Sequence, residues 1–397
     1  MAHPPSAAYQ VRKFARRHKG LVGAAVAIVV ALVAGVVVSS WQAYRASLAE
    51  QLAEARANEA QGEKAKAEAV TKFLTEMLSS VNPAQAQGRE VTVRAALDAA
   101  AQKIDQGAMK GQPEVEVAVR NAIGTTYDGL GQLDTAQRQL LAALDLQSKT
   151  GGSRLLLAET HARLAAAYYH AGKYTEMEAA ARESLRLRRD ALGPRHADVA
   201  SSLDDLGSAL ISMDNLADAE PPLREALAIR REVLPPDHSE IAMSLNNVAF
   251  VVQSKGNLAE AEAMFREALD IDRRRLGNDH PEVATKLVNV ALVLHDQVKW
   301  QEAEPFSREA VAVRRKVLGD SHPALANALD IHGASLGGLG RRAEEEASRS
   351  EALTIALRVF GEGHRATGRF QNNLEWVRYE NGAHAEAESC FGRPAPL

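Results

Sequence analysis

The chain is poor in several things at once. Cys390 is its only cysteine in 397 residues, which excludes an internal disulfide framework and any multi-cysteine metal site. Aromatic residues make up only 5%, a composition that fits stacked alanine-rich helices better than a β-sandwich. Basic charge is scarce where a polyanion would need it. Arg12, Lys13, Arg16, Arg17 and Lys19 all precede residue 20 with no acid among them, while the whole chain has a formal net charge of -4, so everything after them is acidic on balance. A nucleic-acid binder spreads lysine and arginine over a face, and no nucleic-acid partner is expected. Catalytic signatures are missing too: there is no paired-carboxylate site, nucleophile elbow, phosphate-binding loop or zincin motif. The chain is therefore expected not to be an enzyme and to need no cofactor or metal.

One long apolar run is present. Leu21 to Val38 contains no charged residue, and with its flanks from 20 to 40 it would span about 30 Å as a helix, the thickness of a bilayer core. Trp41 and Tyr44 follow at the far edge and the basic cluster precedes the near edge, so the positive-inside rule places 1–19 in the cytoplasm and the rest outside. A cleaved signal peptide shares these features, but its apolar core is typically shorter, about 7–15 residues. The expectation is a single-pass anchor in a bacterial inner membrane, in contact with lipid through Leu21, Val38 and Trp41. Residues 41–82 read as a helical stalk, solvated at first and then striped by Val70, Phe73, Leu74, Met77 and Leu78. Residues 83–112 hold a lead-in helix over Val93 to Ile104, N-capped by Thr92, with Val93, Ala96, Leu97 and Ile104 on one side to pack against the first of the repeats downstream.

The dominant signal is a period. His196, His238, His280, His322 and His364 stand 42 residues apart, each preceded four positions earlier by Leu192, Leu234, Leu276, Leu318 or Phe360. Small residues recur in the same register at Ala165, Gly207, Ala249, Ala291 and Gly333, with Gly124 one residue out of phase; they mark the close crossing of two helices. Core positions recur as Ala226, Ala268, Ala310 and Ala352, as Leu227, Leu269, Val311 and Leu353, and as Ile229, Ile271, Val313 and Ile355. Turn signals at Gly131-Gln132, Gly172-Lys173, Asp214-Asn215, Gly256-Asn257, Gly340-Arg341 and Asn381-Gly382 split each unit into a helix hairpin. Hairpins at a fixed period cannot bury their apolar faces singly and must stack into a solenoid.

The run Leu245-Asn246-Asn247-Val248-Ala249, then Gly256-Asn257-Leu258-Ala259-Glu260-Ala261, then Leu276-Gly277-Asn278-Asp279-His280-Pro281 resembles the long tetratricopeptide repeat (TPR) of kinesin light chains and their bacterial relatives. The resemblance implies an all-α, right-handed superhelical solenoid of 42-residue hairpins: six repeats over 113–366 and a partial seventh with the C-terminal tail over 367–397. Met177 and Glu345 replace the alanine found at Ala136, Ala219, Ala261, Ala303 and Ala387, and Glu375 takes the small first-helix position, so the last repeats are expected to pack loosely. Pro221, Pro222 and Pro305 are expected in the first turn of second helices, where a missing N–H does little harm. The front of the chain, from Pro4-Pro5-Ser6 through Arg12-Lys13-Phe14 to Val91-Thr92-Val93-Arg94, is similar to the juxtamembrane region of bacterial serine/threonine kinases with TPR ectodomains, although no kinase motif is present.

The resemblance also implies a concave groove lined by the first helices, with asparagines clamping the main chain of a protein or peptide ligand. The matching positions are Asp205, Asn247, Asn289 and Asn373, with Asn246 and Asn372 adjacent; an amide both donates to and accepts from a peptide bond. Ile331, Arg163 and Ala122 fill the same place elsewhere, and the polar residues could equally serve only to keep that face wet. The five periodic histidines are too far apart to share one ion, about 10 Å per layer, and are expected to cap the helix starts beside them. The expected function is a membrane-anchored, non-catalytic scaffold. Two other readings stay open: a sensor ectodomain signalling to a separate serine/threonine kinase, and a structural part of the envelope.

Overall fold

The computed structural model describes residues 93–381 and, before them, Arg45, Lys64, Ala67, Glu68, Thr71, Lys72 and Thr75, each of them helical. The chain divides into two compact units, 1–85 and 86–397. In the first, Lys64 and Glu68 form an i,i+4 ion pair at 3.8 Å. The expected membrane span, with Leu21, Val38 and Trp41, and the stalk stripe from Val70 to Leu78 lie outside the described residues. Among the described residues no helix is long and apolar enough to cross a membrane.

The second unit contains 14 described helices and, among the described residues, no strand. They are α1 (Val93–Asp105), α2 (Pro113–Gly129), α3 (Leu133–Thr150), α4 (Arg154–His170), α5 (Tyr174–Leu192), α6 (Ala197–Ser212), α7 (Leu216–Val233), α8 (Ser239–Ser254), α9 (Leu258–Leu276), α10 (Pro281–Asp296), α11 (Trp300–Leu318), α12 (Pro323–Gly338), α13 (Arg342–Phe360) and α14 (Arg365–Glu380). Even-numbered helices are first helices of hairpins, and α3 to α13 with odd numbers are second helices. Each helix packs on the next in sequence, and first helices also touch the first helix of the neighbouring repeat. One apolar core runs unbroken from Ala165 to Phe370, as expected when every hairpin is closed by its neighbour.

The local chemistry of each hairpin depends on a few positions. Every periodic histidine sits at an N-cap in extended conformation, and its Nδ1 accepts the backbone N–H two residues on: Asp198 at 3.1 Å, Glu240 at 3.3 Å, Glu282 at 3.2 Å, Ala324 at 3.1 Å and Ala366 at 3.1 Å. The capping role is thus in place at all five, and each satisfies one of the free donors of a helix start. At the crossing, a Cβ built on Gly207 would lie 2.5 Å from Leu223 Cγ, one on Gly124 2.8 Å from Leu140 Cγ, and one on Gly333 2.9 Å from Arg349 Cγ. The small residues are therefore set by backbone proximity. The hairpin turns need a left-handed residue, supplied by Gly131, Gly172, Asp214, Gly256 and Gly340, and at α10–α11 by Val298 with φ 60°.

Four expectations need correction. Pro221, Pro222 and Pro305 lie inside their helices, one turn beyond the first; Pro221 and Pro305 are exposed, so carbonyls left without a donor on that side can turn to water. Glu345 is not a loose spot: it is buried, paired with Arg342 at 3.0 Å and Arg349 at 3.1 Å, and Gly337 leaves the room, since a Cβ there would sit 2.5 Å from the Glu345 carboxyl. Glu375 in the last repeat is likewise buried and accepts from Gln371 at 2.8 Å. In α1, Ala96, Leu97 and Ile104 are buried as expected but Val93 is exposed, because the buried stripe begins only at Ala96.

Candidate functional site: the first-helix face

On α8, Met243, Asn246, Asn247, Phe250 and Ser254 lie outside the core at helical spacing along one side. The same register on α6 gives Ser201, Asp204, Asp205 and Ser208, on α10 Thr285, Asn289 and Leu292, on α12 Asn327, Asp330 and Ala334, and on α14 Arg369, Asn372, Asn373 and Trp376. All the sequence-picked residues, Asp205, Asn246, Asn247, Asn289 and Asn373, are half-buried on this face, so they share one surface.

They are not idle there. Asn289 Nδ2 donates to Asn246 Oδ1 at 2.6 Å, and Asn373 Nδ2 donates to Asp330 Oδ1 at 3.1 Å and Oδ2 at 2.9 Å. Asn247, in the same register, helps to draw the Asp204 carboxyl down against the push of burial. The rule is common: the amide of one repeat reaches back 43 residues to the neighbouring position of the repeat before. Sequence spacing reveals the amides, but not Asp204 and Asp330, because the acceptor position varies through Asp204, Asn246, Val288, Asp330 and Asn372. Each bridge uses one donor and leaves the other amide hydrogen and carbonyl oxygen free to meet a ligand.

Beneath the face lies a buried polar cluster. Arg230, only 1% exposed, pairs with Asp204, donates through Nε to Glu240 at 3.1 Å and reaches Ser201 Oγ at 3.4 Å. Arg188 and Arg314 occupy the same register one and two repeats away and donate to the Asp198 and Ala324 carbonyls at 2.9 and 2.7 Å. In the repeat between, Asp272 takes the arginine place, and the buried Lys286, in the register of Ser244, draws its carboxyl down against the upward push of burial. Burial pushes the Asp204 carboxyl above the usual range even against Arg230. Burial also pushes Asp205 up to about 6, against the pull of Arg188 and with the push of Asp204. Burial brings His295 down to about 4; its Nε2 lies 2.7 Å from Ser335 Oγ.

The first-helix face also carries exposed apolar side chains that sequence reasoning assigned no role: Met243 (43% exposed), Phe250 (47%), Leu292 (37%) and Trp376 (56%). Phe250, Leu292 and Trp376 share one register. The opposite side is different in kind. Consecutive second helices are tied by Arg189–Glu225 at 2.6 Å, Arg231–Glu267 at 2.7 Å, Arg273–Glu309 at 2.6 Å and Arg315–Glu351, each pair spanning 36 residues. The second helices thus carry a ladder of ion pairs together with exposed apolar residues of their own, such as Val233, Val317 and Val359, whereas the first helices set amides beside theirs. Among the described residues no group of histidine, cysteine and carboxylates could hold a metal ion.

The tetratricopeptide-repeat family model matches residues 156–232, 240–297 and 282–348. Those residues carry tetratricopeptide repeats, and the described helices of the second unit form an all-helical solenoid. No curated protein matches the chain in sequence. Among solved structures, BtubC (BKLC) from P. vanneervenii is similar over 58% of this chain and 92% of its own, at 22% identity and a TM-score of 0.51. A signal transduction ATPase with numerous domains and a tetratricopeptide repeat sensor, from Pyrococcus horikoshii, is similar over 79% of this chain and 50% of its own, at 13% identity and a TM-score of 0.53. The kinesin light chain TPR-like repeats of Podosopora anserina match over 54% of this chain and all of theirs, at 19% identity and a TM-score of 0.47. At these identities the likeness concerns the fold.

Proposed function

We propose that this chain is a non-catalytic binding scaffold, anchored in a membrane by the run from Leu21 to Val38, whose first-helix face holds a protein or peptide. The observation that carries the reading is the line of amides Asn247, Asn289 and Asn373 beside the exposed Phe250, Leu292 and Trp376. Amides satisfy a peptide backbone of any sequence, while exposed apolar groups in a row supply the desolvated contacts that carry binding energy. Membrane anchoring draws on the length of the apolar run and its basic flank alone. Signalling to a separate serine/threonine kinase draws only on the likeness of the residues ahead of that run. Right-handed winding and six repeats over 113–366 are inferred from the resemblance of the 42-residue hairpins to the long tetratricopeptide repeat.

Site-specific photo-crosslinking in intact cells tests the reading. Crosslinkers placed at Phe250 and Leu292 are expected to trap the same partner, while one at Ala228, exposed on second helix α7, traps none. Equal trapping from both sides would remove the first-helix face as the binding site.

A further inference from the structure

The repeats of one chain serve as references for each other, and one junction departs from the rest. The buried column Leu206, Val248 and Val290 becomes His332 in α12, and the buried column Ala209, Val251 and Val293 becomes Ser335. On the second helices, the buried column Leu223 and Phe265 becomes Ser307 in α11. The same half of α12 holds Gly333, Gly337 and Gly338, and glycine weakens a helix interior relative to alanine. The first half of α12 is ordinary, with Leu325, Ala326 and Leu329 buried. Apolar packing is thus cut back at one place, between α11 and the C-terminal half of α12.

Hydrogen bonds take the place of that packing. His295 Nε2 lies 2.7 Å from Ser335 Oγ, which lies 2.9 Å from Ser307 Oγ, which in turn lies 3.1 Å from His332 Nδ1. The chain ties α10, α11 and α12 together, and its hydroxyls also reach the Glu304 and Ile331 carbonyls at 3.0 and 3.2 Å. The Trp300 ring stands 5.1 Å from the His295 ring and fills the space that a side chain on Gly338 would need. No carboxylate is left over to balance a proton on either histidine. The charges acting on His295 are Asp296, which accepts from Gln253 at 2.6 Å, and Arg349 of α13, which is paired with Asp330 and Glu345. Those acting on His332 are Glu304 and Arg308 of α11, Arg341 of the following turn and Glu344 of α13; Arg341 lies 3.5 Å from Glu304 and 2.6 Å from Glu344, and so already engages both acids.

We propose that the solenoid has an opening point between α11 and the C-terminal half of α12, and that acid releases it while the repeats on the N-terminal side stay closed. Polar, glycine-rich segments with little apolar burial are the parts of a fold that open first. Burial holds both rings below the ordinary histidine range, His295 at about 4 against 6.5. An opened junction, with its rings in water, therefore binds protons more tightly than the closed one. The closed form has its full advantage above pH 6.5 and loses it as pH falls toward 4. The opening would divide the first-helix face. In the columns of the amides and of the exposed apolar groups α12 carries Ile331 and Ala334, so Asn247, Phe250, Asn289 and Leu292 lie on one side of the junction and Asn373 and Trp376 on the other. Asn373 is positioned by Asp330, two residues ahead of His332, and loosening α12 loosens that hold.

Amide hydrogen exchange of the full chain in nonionic detergent, read by mass spectrometry and corrected for the direct effect of pH on exchange chemistry, tests this. Between about pH 7 and about pH 4.5 the protection of α12 and α13 is expected to fall at least about tenfold more than that of α8 and α9. Changing His295→Gln together with His332→Val installs the residues of the preceding repeat, Gln253 and Val290, and is expected to abolish the difference. An equal fall in both regions, no fall in α12 and α13, or an undiminished difference in the double variant would overturn the inference. If the pair of changes opens the hairpin already at pH 7, His295→Gln alone carries the comparison, because that ring is only half-buried; an acid response as large as that of the original protein would equally overturn it. The opening does not depend on the binding role proposed above: a first-helix face that traps no partner would leave the exchange result standing.

Discussion

Gly207 on α6 and Leu223 on α7 face each other so closely that a methyl group on the glycine would sit 2.5 Å from the leucine Cγ. One repeat earlier the same two places are Ala165 and Ala181, both fully buried. The two hairpins solve the same crossing with different divisions of volume. Gly207→Ala alone is expected to destabilise the protein by about 1–3 kcal/mol through overpacking. Combining it with Leu223→Ala recreates the pairing of the preceding repeat, and the double variant should be less unstable than the sum of the two single losses. Urea unfolding of all four proteins measures the coupling, and strict additivity would show that the two positions do not share the space.

Arg230 and Asp204 make a buried ion pair whose members depend on each other. Removing the arginine leaves a carboxylate in the interior with the Ser244 hydroxyl, at 3.5 Å, as its remaining hydrogen-bond partner. Arg230→Met is therefore expected to cost about 3–5 kcal/mol. Arg230→Met with Asp204→Leu removes both charges and should recover much of that loss, as seen by a rise in the denaturation midpoint over the single variant. A double variant less stable than Arg230→Met would show that the cluster contributes through its hydrogen bonds more than through its charge pair.

The parts of the fold that obey strict spacing were legible in the sequence. The histidine N-caps, the small residue at the helix crossing and the alanine core rows all repeat at 42 residues, because stacking forces each hairpin into the same local contacts. The site was legible only in part. Asn289 and Asn373 could be found by register, but their reach back to Asn246 and Asp330 links positions 43 apart, and no single column of the repeat displays it. Phe250, Leu292 and Trp376 were hidden for another reason: on an apolar helix an extra apolar residue looks like core, and only the packing reveals that these point outward. Glu345 misled because its partners Arg342 and Arg349 and the space left by Gly337 are peculiar to that repeat.

Asp205 gives the stability a dependence on pH with a definite sign. Its carboxyl titrates near 6 in the folded protein, above the 3.8 of an unperturbed aspartate. The folded state thus holds the proton more tightly, so this group's contribution is fully present below about pH 4 and is lost as pH rises through 6. Asp205→Asn should match the original at pH 4 and exceed it by about 1–3 kcal/mol at pH 8, the upper figure being the full shift and the lower allowing for partial solvent access. His295 acts in the opposite direction. Held near 4 when folded, below the 6.5 of an unperturbed histidine, it removes stability as pH falls from 6.5 toward 4. The Asp205 effect is therefore read from the difference between variant and original at each pH; a constant difference from pH 4 to 8 would place the titration elsewhere.

Val298 is the odd residue among the hairpin turns. It adopts φ 60° at a position where the other described turns have glycine or, in one case, Asp214. A β-branched side chain in the left-handed region crowds its own backbone, and Val298 is 68% exposed, so its side chain gains little burial in return. The turn itself is well formed, with the Val298 N–H donating to the His295 carbonyl at 2.8 Å, so the surrounding helices hold the strained residue in place. Val298→Gly is expected to raise stability by about 1 kcal/mol, the relief of strain exceeding the added freedom of the unfolded chain. The reciprocal change Gly256→Val, at the equivalent turn one repeat earlier, should lower it by about 1–2 kcal/mol. If thermal unfolding showed Val298→Gly to be destabilising, the valine would have to be making contacts that its exposure does not suggest.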